Sequence, residues 1–294
     1  IKKLIYDGLK EVGTYQKKTV KLLFPKHHLS HAASTYFPSP YAVAAVLTID
    51  GVGEWNTTTI GYGQNLKLEI SKEINFPHSV GLLYSAFTYF LAFSVNSSEY
   101  KLMGLAPYGD ADADETKRFV ELIKKHLVHL YADGSFWLDQ SYFNYATGLR
   151  MVYEKKWGEL FGFGLRQPES DLEQHHCNLA HAIQQVTEEM VLNLAKEAKR
   201  LTGSKNLCLA GGVALNCVAN GKLQAAAIFE NIYIQPAAGD AGDIPPAERR
   251  LQRLRQQVPR PRAHNRPDDV EGARRRQVVQ RKDPIHRCAS LDLP

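Results

Sequence analysis

The sequence contains no run of about 18 apolar residues, and its first residues lack the apolar stretch and cleavage site of a secretion signal. It has only four cysteines in 294 residues, none of them in a CxxC pair. These absences argue against a membrane-spanning helix, a disulfide scaffold and a zinc knuckle. We therefore expect a soluble protein of the reducing cytoplasm with no membrane partner. A hydrophobic fraction of 44% is enough for a buried core.

The net charge of +5 is unevenly distributed. Residues 241–294 hold 12 of the 16 arginines, seven of the 14 prolines and no aromatic residue. This segment carries +6, so the first 240 residues carry −1 and indicate no nucleic-acid partner. We expect residues 243–294 to be an Arg/Pro-rich tail that is disordered or arises from a changed reading frame. A basic arm for an anionic partner is the remaining interpretation.

The first 240 residues alternate between strand and helix patterns, which predicts an α/β fold. A nearly continuous apolar run at 42–50 indicates a strand buried on both faces. Residues 57–62 and 66–74 alternate as two further strands. The remaining patterns predict helices at 28–36, 81–93, 112–128 and 178–202, and short strands at 207–210 and 232–235.

Two histidines form the first candidate site. His27 and His31 are four residues apart, so a helix places them on one face. Two imidazoles at this spacing commonly hold a divalent metal. His28 lies about 100° round the same helix and is not expected to join them. Surface or cap histidines show the same spacing, and the glutamate of a zinc-protease HExxH motif is absent.

Two aspartates follow predicted strands. Asp50 ends the buried strand, and Gly51 and Gly53 let the backbone approach a ligand closely. Asp240 lies in the glycine-flanked turn QPAAGDAG. A buried carboxylate needs a cation, a metal or several N–H donors. With two histidines, these acids would form a mixed nitrogen and oxygen site suited to Fe(II), Mn or Zn. A plain polar hairpin is the alternative for Asp50.

The segment LCLAGGVALNCVANGKL, residues 207–223, predicts a strand, a Gly211-Gly212 turn and a helix carrying Asn216 and Asn220. Amides at such a helix start could hold an anion or a nucleotide. The segment matches neither the Rossmann nor the P-loop pattern, and tight packing at the glycines is the alternative.

Other polar residues have weaker patterns. Lys101, in SSEYKLMGLAPYG, is expected in an ordered loop over an anionic ligand, with a solvated lysine as the alternative. His78 is expected to cap the helix that follows it. His175, His176 and His181 are expected to be structural or exposed.

In this order, the motifs HHLSHAAS, TIDGVGEW, HSVGLLYSAF, LAGGVALNCVANGKL and QPAAGDAG resemble the O-carbamoyltransferases of nodulation-factor and antibiotic tailoring. The catalytic region of that family is similar to the tRNA threonylcarbamoyl-transfer protein, with the actin/sugar-kinase/Hsp70-like (ASKHA) fold. The resemblance implies transfer of a carbamoyl group from carbamoyl-adenylate to a hydroxyl of a small molecule or glycan. It also implies a bound divalent metal, iron first, with zinc or manganese as alternatives.

The resemblance assigns roles to particular residues. The implied metal ligands are His27, His31, Asp50 and Asp240. The residues expected to line the site of carbamoyl-adenylate or ATP are Gly51, Gly53, Gly81, Gly211, Gly212, Val213 and Asn216. Asp50 and Lys101 are the implied catalytic residues.

Residues 1–242 are expected to be a carbamoyltransferase catalytic domain whose amino-terminal segment is missing, so that the ASKHA-like fold is incomplete at both ends. The implied partners are the hydroxyl acceptor and a domain that makes carbamoyl-adenylate from carbamoyl phosphate and ATP; a homodimer is left open. One alternative is an actin-like kinase or ATPase, which does not need the histidine pair. The other is an inactive nucleotide-binding fragment.

Overall fold

The structure, a computed structural model, describes residues 1–16, 18 and 20–242. The tail expected at residues 243–294 lies outside these residues. In the described part of the chain, no helix is both long enough and apolar enough to cross a membrane.

A five-stranded mixed sheet forms the centre of the fold. Its strands are β1 (Val43–Ile49), β2 (Asn56–Gln64), β3 (Lys67–Asn75), β6 (Asn206–Ala210) and β7 (Asn231–Ile234), in the order β3-β2-β1-β6-β7. Strand β2 runs antiparallel to both β1 and β3, whereas β1, β6 and β7 run parallel. Because Thr48 pairs with Ala210, the residues that follow β1 and β6 meet at one edge of the sheet.

Helices surround this sheet. They are α1 (Lys2–Val12), α2 (His27–Tyr36), α3 (Val80–Phe90), α4 (Glu99–Leu105), α5 (Asp114–Leu122), α6 (Glu154–Phe161), α7 (Gln174–Thr202) and α8 (Cys217–Ala225). Short 3-10 turns span Ala106–Tyr108, Gly212–Leu215 and Asp240–Gly242, and a small hairpin joins β4 (Val128–Leu130) to β5 (Phe136–Leu138).

Strand β1 is buried on both faces because its alternate side chains enter two cores. Ala45, Leu47 and Ile49 join the larger core, which contains the buried faces of α3 and α7. Ala44 and Val46 join a smaller core. The smaller core also holds the α2 residues Ala32 and Tyr36 together with Cys208. This double burial explains the continuous apolar run and confirms the predicted mixed α/β class.

Two local predictions are wrong. Lys101 lies on helix α4 instead of in a loop, because Leu102 and Leu105 are buried and stabilise a helical turn there. His78 does not cap α3. The hydroxyl of Ser79 accepts the N–H of Leu82, whereas His78 Nδ1 accepts the N–H of Leu138. A short Ser side chain at the N-cap position reaches the first free amides of a helix.

The helix predicted over residues 112–128 is shorter than expected. Its α-helical part ends at Leu122, a π-helical turn covers Ile123–Leu127, and Val128 begins β4. The sequence patterns did not indicate α1, α6 or the β4–β5 hairpin. The predicted helix over 28–36, the long helix ending before Gly203 and the two short parallel strands are confirmed within a few residues.

Candidate metal centre

The first turn of α2 directs two histidines at one carboxylate. His27 Nε2 lies 3.0 Å from Asp50 Oδ2, and His31 Nε2 lies 3.1 Å from the same oxygen. The two imidazole rings are 4.6 Å apart between centroids and nearly perpendicular. The four-residue helical spacing therefore places both rings on the face that meets the end of β1.

Asp240 completes the group from the turn that follows β7. Its Oδ1 lies 3.5 Å from His27 Nε2 and 3.6 Å from His31 Nε2. One donor atom from each of the four residues lies within 4.8 Å of the other three. The side chain of His31 is 0% exposed and that of Asp50 13%, whereas that of Asp240 is 80% exposed. The group is thus buried on the histidine side and open on the Asp240 side.

The charges in this group support one another. The hydrogen bond to Asp50 raises the pKa of His27, against burial and the neighbouring His31. Burial by itself raises the pKa of Asp50, but hydrogen bonds with His27 and His31 outweigh it and hold that pKa far below its usual range. Asp50 is therefore a carboxylate, with lone pairs available to a cation.

His28 belongs to a different contact. Burial lowers its pKa to about 4, so the ring is neutral at pH 7. Its Nδ1 lies 2.7 Å from Thr48 Oγ1, which in turn contacts Thr59 Oγ1 at 2.7 Å. As the helical geometry predicts, His28 is turned away from Asp50 and packs on the sheet.

Glycines surround the other side of Asp50. Asp50 Oδ1 accepts the backbone N–H of Gly212 at 3.0 Å. Gly211 has φ +94°, and a Cβ there would collide with the carbonyl of Ile49. A Cβ on Gly81 would lie 2.7 Å from the carbonyl oxygen of Asp50. Only residues without a side chain allow these backbones to approach Asp50 so closely.

The other two predicted glycines differ from each other. A Cβ at Gly53 would lie 2.9 Å from the side chain of His27, whereas a Cβ at Gly51 would meet nothing within 4 Å. Val213 is half-buried in the turn after Gly212. That these residues line a nucleotide site stays a prediction.

The sequence predicts that Asn216 lies within a helix, but it lies just before α8. It is the N-cap residue of α8, and its Oδ1 accepts the N–H of Ala219 at 3.0 Å. Its side chain also forms two hydrogen bonds with Gln184, which the sequence analysis did not single out. The available signal was a glutamine among the predominantly apolar, buried positions of α7.

Lys101 lies on the surface of the protein. Its side chain is exposed on α4. In the part of the chain that the structure describes, no hydrogen bond or ion pair joins its ammonium to His27, His31, Asp50 or Asp240.

The donor set fits a divalent transition metal. Imidazole nitrogens and carboxylate oxygens are ligands shared by Fe(II), Mn and Zn. Both Nε2 atoms already converge on one carboxylate oxygen, so little rearrangement of the histidines is required. The exposed Asp240 side leaves room for a further ligand.

Comparisons with known proteins identify a family for this chain. A family model described as "Carbamoyltransferase N-terminus" matches residues 1–246. An uncharacterized Synechocystis protein, sll1178, is 55% identical over 243 residues, which cover 82% of this chain and 38% of that protein. The nodulation protein NolNO of Sinorhizobium fredii is 35% identical over 246 residues, which cover 82% of this chain and 33% of that protein. The chain thus spans about a third of the length of these relatives.

Among solved structures, HypF of T. kodakarensis aligns at 15% identity with a TM-score of 0.38, covering 82% of this chain and 37% of that chain.

Proposed function

This chain belongs to the carbamoyltransferase N-terminus family, and from that premise we propose that it carries the site of a metal-assisted O-carbamoyl transfer. Family membership supports carbamoyl transfer in general. The finer proposal is that the donor is carbamoyl-adenylate and the acceptor is a hydroxyl of a small molecule or glycan. The observation that carries it is the convergence of two imidazoles and two carboxylates beside a glycine-rich turn.

In the proposed reaction, the acceptor hydroxyl oxygen forms a bond to the carbamoyl carbon. The bond between that carbon and the phosphate oxygen breaks, AMP leaves with the electron pair, and the hydroxyl proton passes to solvent or buffer. No covalent enzyme intermediate is required. The protein must therefore mainly orient the donor and the acceptor and stabilise the negative charge that develops on oxygen.

The residues of this chain provide the proposed metal site. His27, His31, Asp50 and Asp240 would hold the metal, with iron preferred over zinc or manganese. When bound, such an ion supplies a Lewis acid for a carbonyl or phosphate oxygen. Asp50 Oδ2 contacts both Nε2 atoms, so the two imidazoles and this carboxylate already face one another.

The glycine-rich turn is the proposed nucleotide contact. The segment Gly211–Leu215 leaves the end of β6 beside Asp50, and its backbone is held there by Gly212. Backbone amides in such a turn can bind the phosphate of the leaving AMP. Gly51, Gly53 and Gly81 lie beside Asp50 and His27. Lys101 is proposed as a more distant cationic contact for the donor.

We also propose the ASKHA-like fold, a cytoplasmic location and a separate domain or partner that makes carbamoyl-adenylate. Support for the fold comes from β1, the Asp50-Gly-Val-Gly segment and the β2–β3 hairpin, an arrangement that presents backbone amides to phosphates. The chain spans about a third of the length of its relatives. The acceptor and the partner domain are therefore proposed for the whole protein and not for this chain alone.

Calorimetry with AMP and a carbamoyl-transfer assay test the proposal together. The metal-loaded chain is given carbamoyl-adenylate and a panel of hydroxyl compounds, and O-carbamates are measured by mass spectrometry. AMP binding with metal-dependent carbamate formation supports the transferase. AMP binding without transfer supports a nucleotide-binding protein instead. In a parallel assay with Mg-ATP, release of phosphate that His31→Ala leaves unchanged supports an ATPase.

A further inference from the structure

Gln184 lies in the interior of the protein with all of its polar atoms bonded. It is on α7, and only 4% of the residue is exposed. Its Oε1 accepts the hydroxyl of Tyr84 at 2.9 Å and the Nδ2 of Asn216 at 3.0 Å. Its Nε2 donates to Asn216 Oδ1 at 3.1 Å and to Glu188 Oε1 at 3.0 Å. A buried amide with every donor and acceptor satisfied contributes rigidity as well as stability.

The direction of these hydrogen bonds is determined by the backbone. The N–H of Ala219 needs an acceptor, so the atom of Asn216 that faces it is the oxygen. Asn216 Nδ2 must then donate to Gln184 Oε1, which leaves Gln184 Nε2 as the donor to Asn216 and to Glu188. Burial raises the pKa of Tyr84, so its hydroxyl stays protonated and donates. The network therefore accepts an amide at position 184, but not a carboxylate.

The network connects the two backbones that touch Asp50. On one side, Tyr84 belongs to α3, and at the start of that helix the hydroxyl of Ser79 donates to the carbonyl of Asp50 at 3.0 Å. On the other side, Asn216 ends the short turn whose Gly212 N–H binds the carboxylate of Asp50. Gln184 hydrogen-bonds to both Tyr84 and Asn216.

Several contacts hold the turn. The N–H of Gly211 donates to the carbonyl of Ala238 at 2.8 Å, and Asn220 Nδ2 donates to the carbonyl of Ala214 at 2.7 Å. The turn is one 3-10 turn of four residues, Gly212–Leu215, followed directly by the cap of α8. Such turns have poor internal hydrogen-bond geometry, so their position depends on side-chain contacts. Asn216 fixes the end of the turn where it meets α8, and its own side chain is held by Gln184.

We propose that Gln184 is a positioning residue: through Asn216, it holds the Gly211–Asn216 turn in the position required to bind the nucleotide part of the donor. Its effect on the turn is independent of any ligand, whereas its effect on nucleotide affinity rests on the proposed function. Gln184 does not touch the donor itself.

The decisive variant is Gln184→Glu, which keeps the shape of the side chain. It places an oxygen against Asn216 Oδ1 and Glu188 Oε1, where Gln184 has its NH2 group. We expect amide hydrogen exchange in residues 211–220 to become about tenfold faster and the affinity for AMP to fall about tenfold, a typical size for residues that act through a network. Gln185→Glu is the matched control, since Gln185 is the exposed neighbour and makes the same charge change.

A double variant distinguishes the loss of these hydrogen bonds from the effect of the added negative charge. In Gln184→Glu, the additional substitution Glu188→Gln restores a donor opposite the new carboxylate. Partial recovery of both slow exchange and AMP affinity is expected. A double variant no better than Gln184→Glu contradicts the proposed hydrogen-bond chain.

Val191→Ala distinguishes positioning from general stability. Val191 is buried on the same helix, so its truncation lowers the melting temperature without touching the network. We expect this variant to keep the wild-type AMP affinity and wild-type exchange in residues 211–220. The inference is overturned if Val191→Ala weakens AMP binding as much as Gln184→Glu, or if Gln184→Glu behaves like Gln185→Glu. If the wild-type chain binds no AMP, the proposed function fails, and the exchange measurement alone decides whether Gln184 holds the turn.

Discussion

Asp50 and Gly212 are 162 residues apart, yet the Oδ1 of Asp50 accepts the backbone N–H of Gly212 at 3.0 Å. The other oxygen, Oδ2, faces His27 and His31. A single carboxylate therefore joins the start of α2 to the turn after β6. A Cβ at Gly212 would lie 2.9 Å from Oδ1, so the contact also depends on the absence of a side chain there.

Removing one buried imidazole is expected to remove the metal. The purified wild-type chain should contain about one equivalent of Fe or Zn, and His31→Ala should lose most of it. His31 is fully buried and directed at Asp50, so no solvent-exposed group can replace it. Elemental analysis after gel filtration measures this. His129→Ala, at an exposed histidine, is the control and should keep its metal; equal metal in both variants contradicts the site.

Asp50→Asn should separate the two contacts of Asp50. An asparagine can still accept the N–H of Gly212, but its NH2 group would face the two Nε2 atoms. Metal affinity should therefore fall by at least about 10–100-fold, the loss that even indirect partners of a metal cause. Exchange of the Gly212 amide should change little. Asp112→Asn is an exposed control, and a metal affinity that survives in Asp50→Asn would show that Asp50 is not a ligand.

Alanine at two glycines should have opposite effects on stability. Gly211 has φ +94° and no room for a Cβ against Ile49, so Gly211→Ala should lower the free energy of unfolding by about 1–3 kcal/mol. Gly221 lies within α8 with nothing within 4 Å of a Cβ, so Gly221→Ala should raise it by about 0.5–1 kcal/mol. Urea denaturation measures both. Equal effects would indicate that the Gly211 turn relaxes freely.

Acid should weaken the fold through Glu197. Hydrogen bonds from Arg200, and then from Lys72, lower the pKa of this buried carboxyl to about 2. As the pH falls, Glu197 therefore takes up a proton in the unfolded chain before it does so in the folded chain. Its contribution to stability is complete above the ordinary glutamate pKa of 4.5 and is lost as the pH falls toward 2.

Glu197→Gln tests this pH dependence. At pH 7 it should lower the free energy of unfolding by about 1.5–3 kcal/mol, the typical contribution of charged hydrogen bonds. The difference from wild type should shrink between pH 5 and pH 2, as measured by denaturation across that range. Glu189→Gln, which breaks a half-exposed pair with Lys124, should show a smaller difference. A difference that does not change with pH contradicts the ionised network.

Much of the local structure can be predicted from the sequence because it depends on residues that are close together along the chain. The four-residue spacing of His27 and His31 determines a shared helix face. The apolar run of β1 reflects burial on both faces, and α7 ends where Gly203 adopts a left-handed conformation. Spacing and glycine placement are properties of neighbouring residues, so they can be recognised without knowing the fold.

The sequence by itself determined the helix that presents the histidines, the buried strand just before Asp50 and the glycines that follow β1 and β6. Only the tertiary structure decided that Asp50 bonds to Gly212, that Gln184 joins Tyr84 to Asn216, and that Lys101 lies on a helix. The physical reason is that these contacts depend on the insertion of β6 beside β1, a parallel pairing between distant segments, and on burial of Leu102 and Leu105 by residues far along the chain.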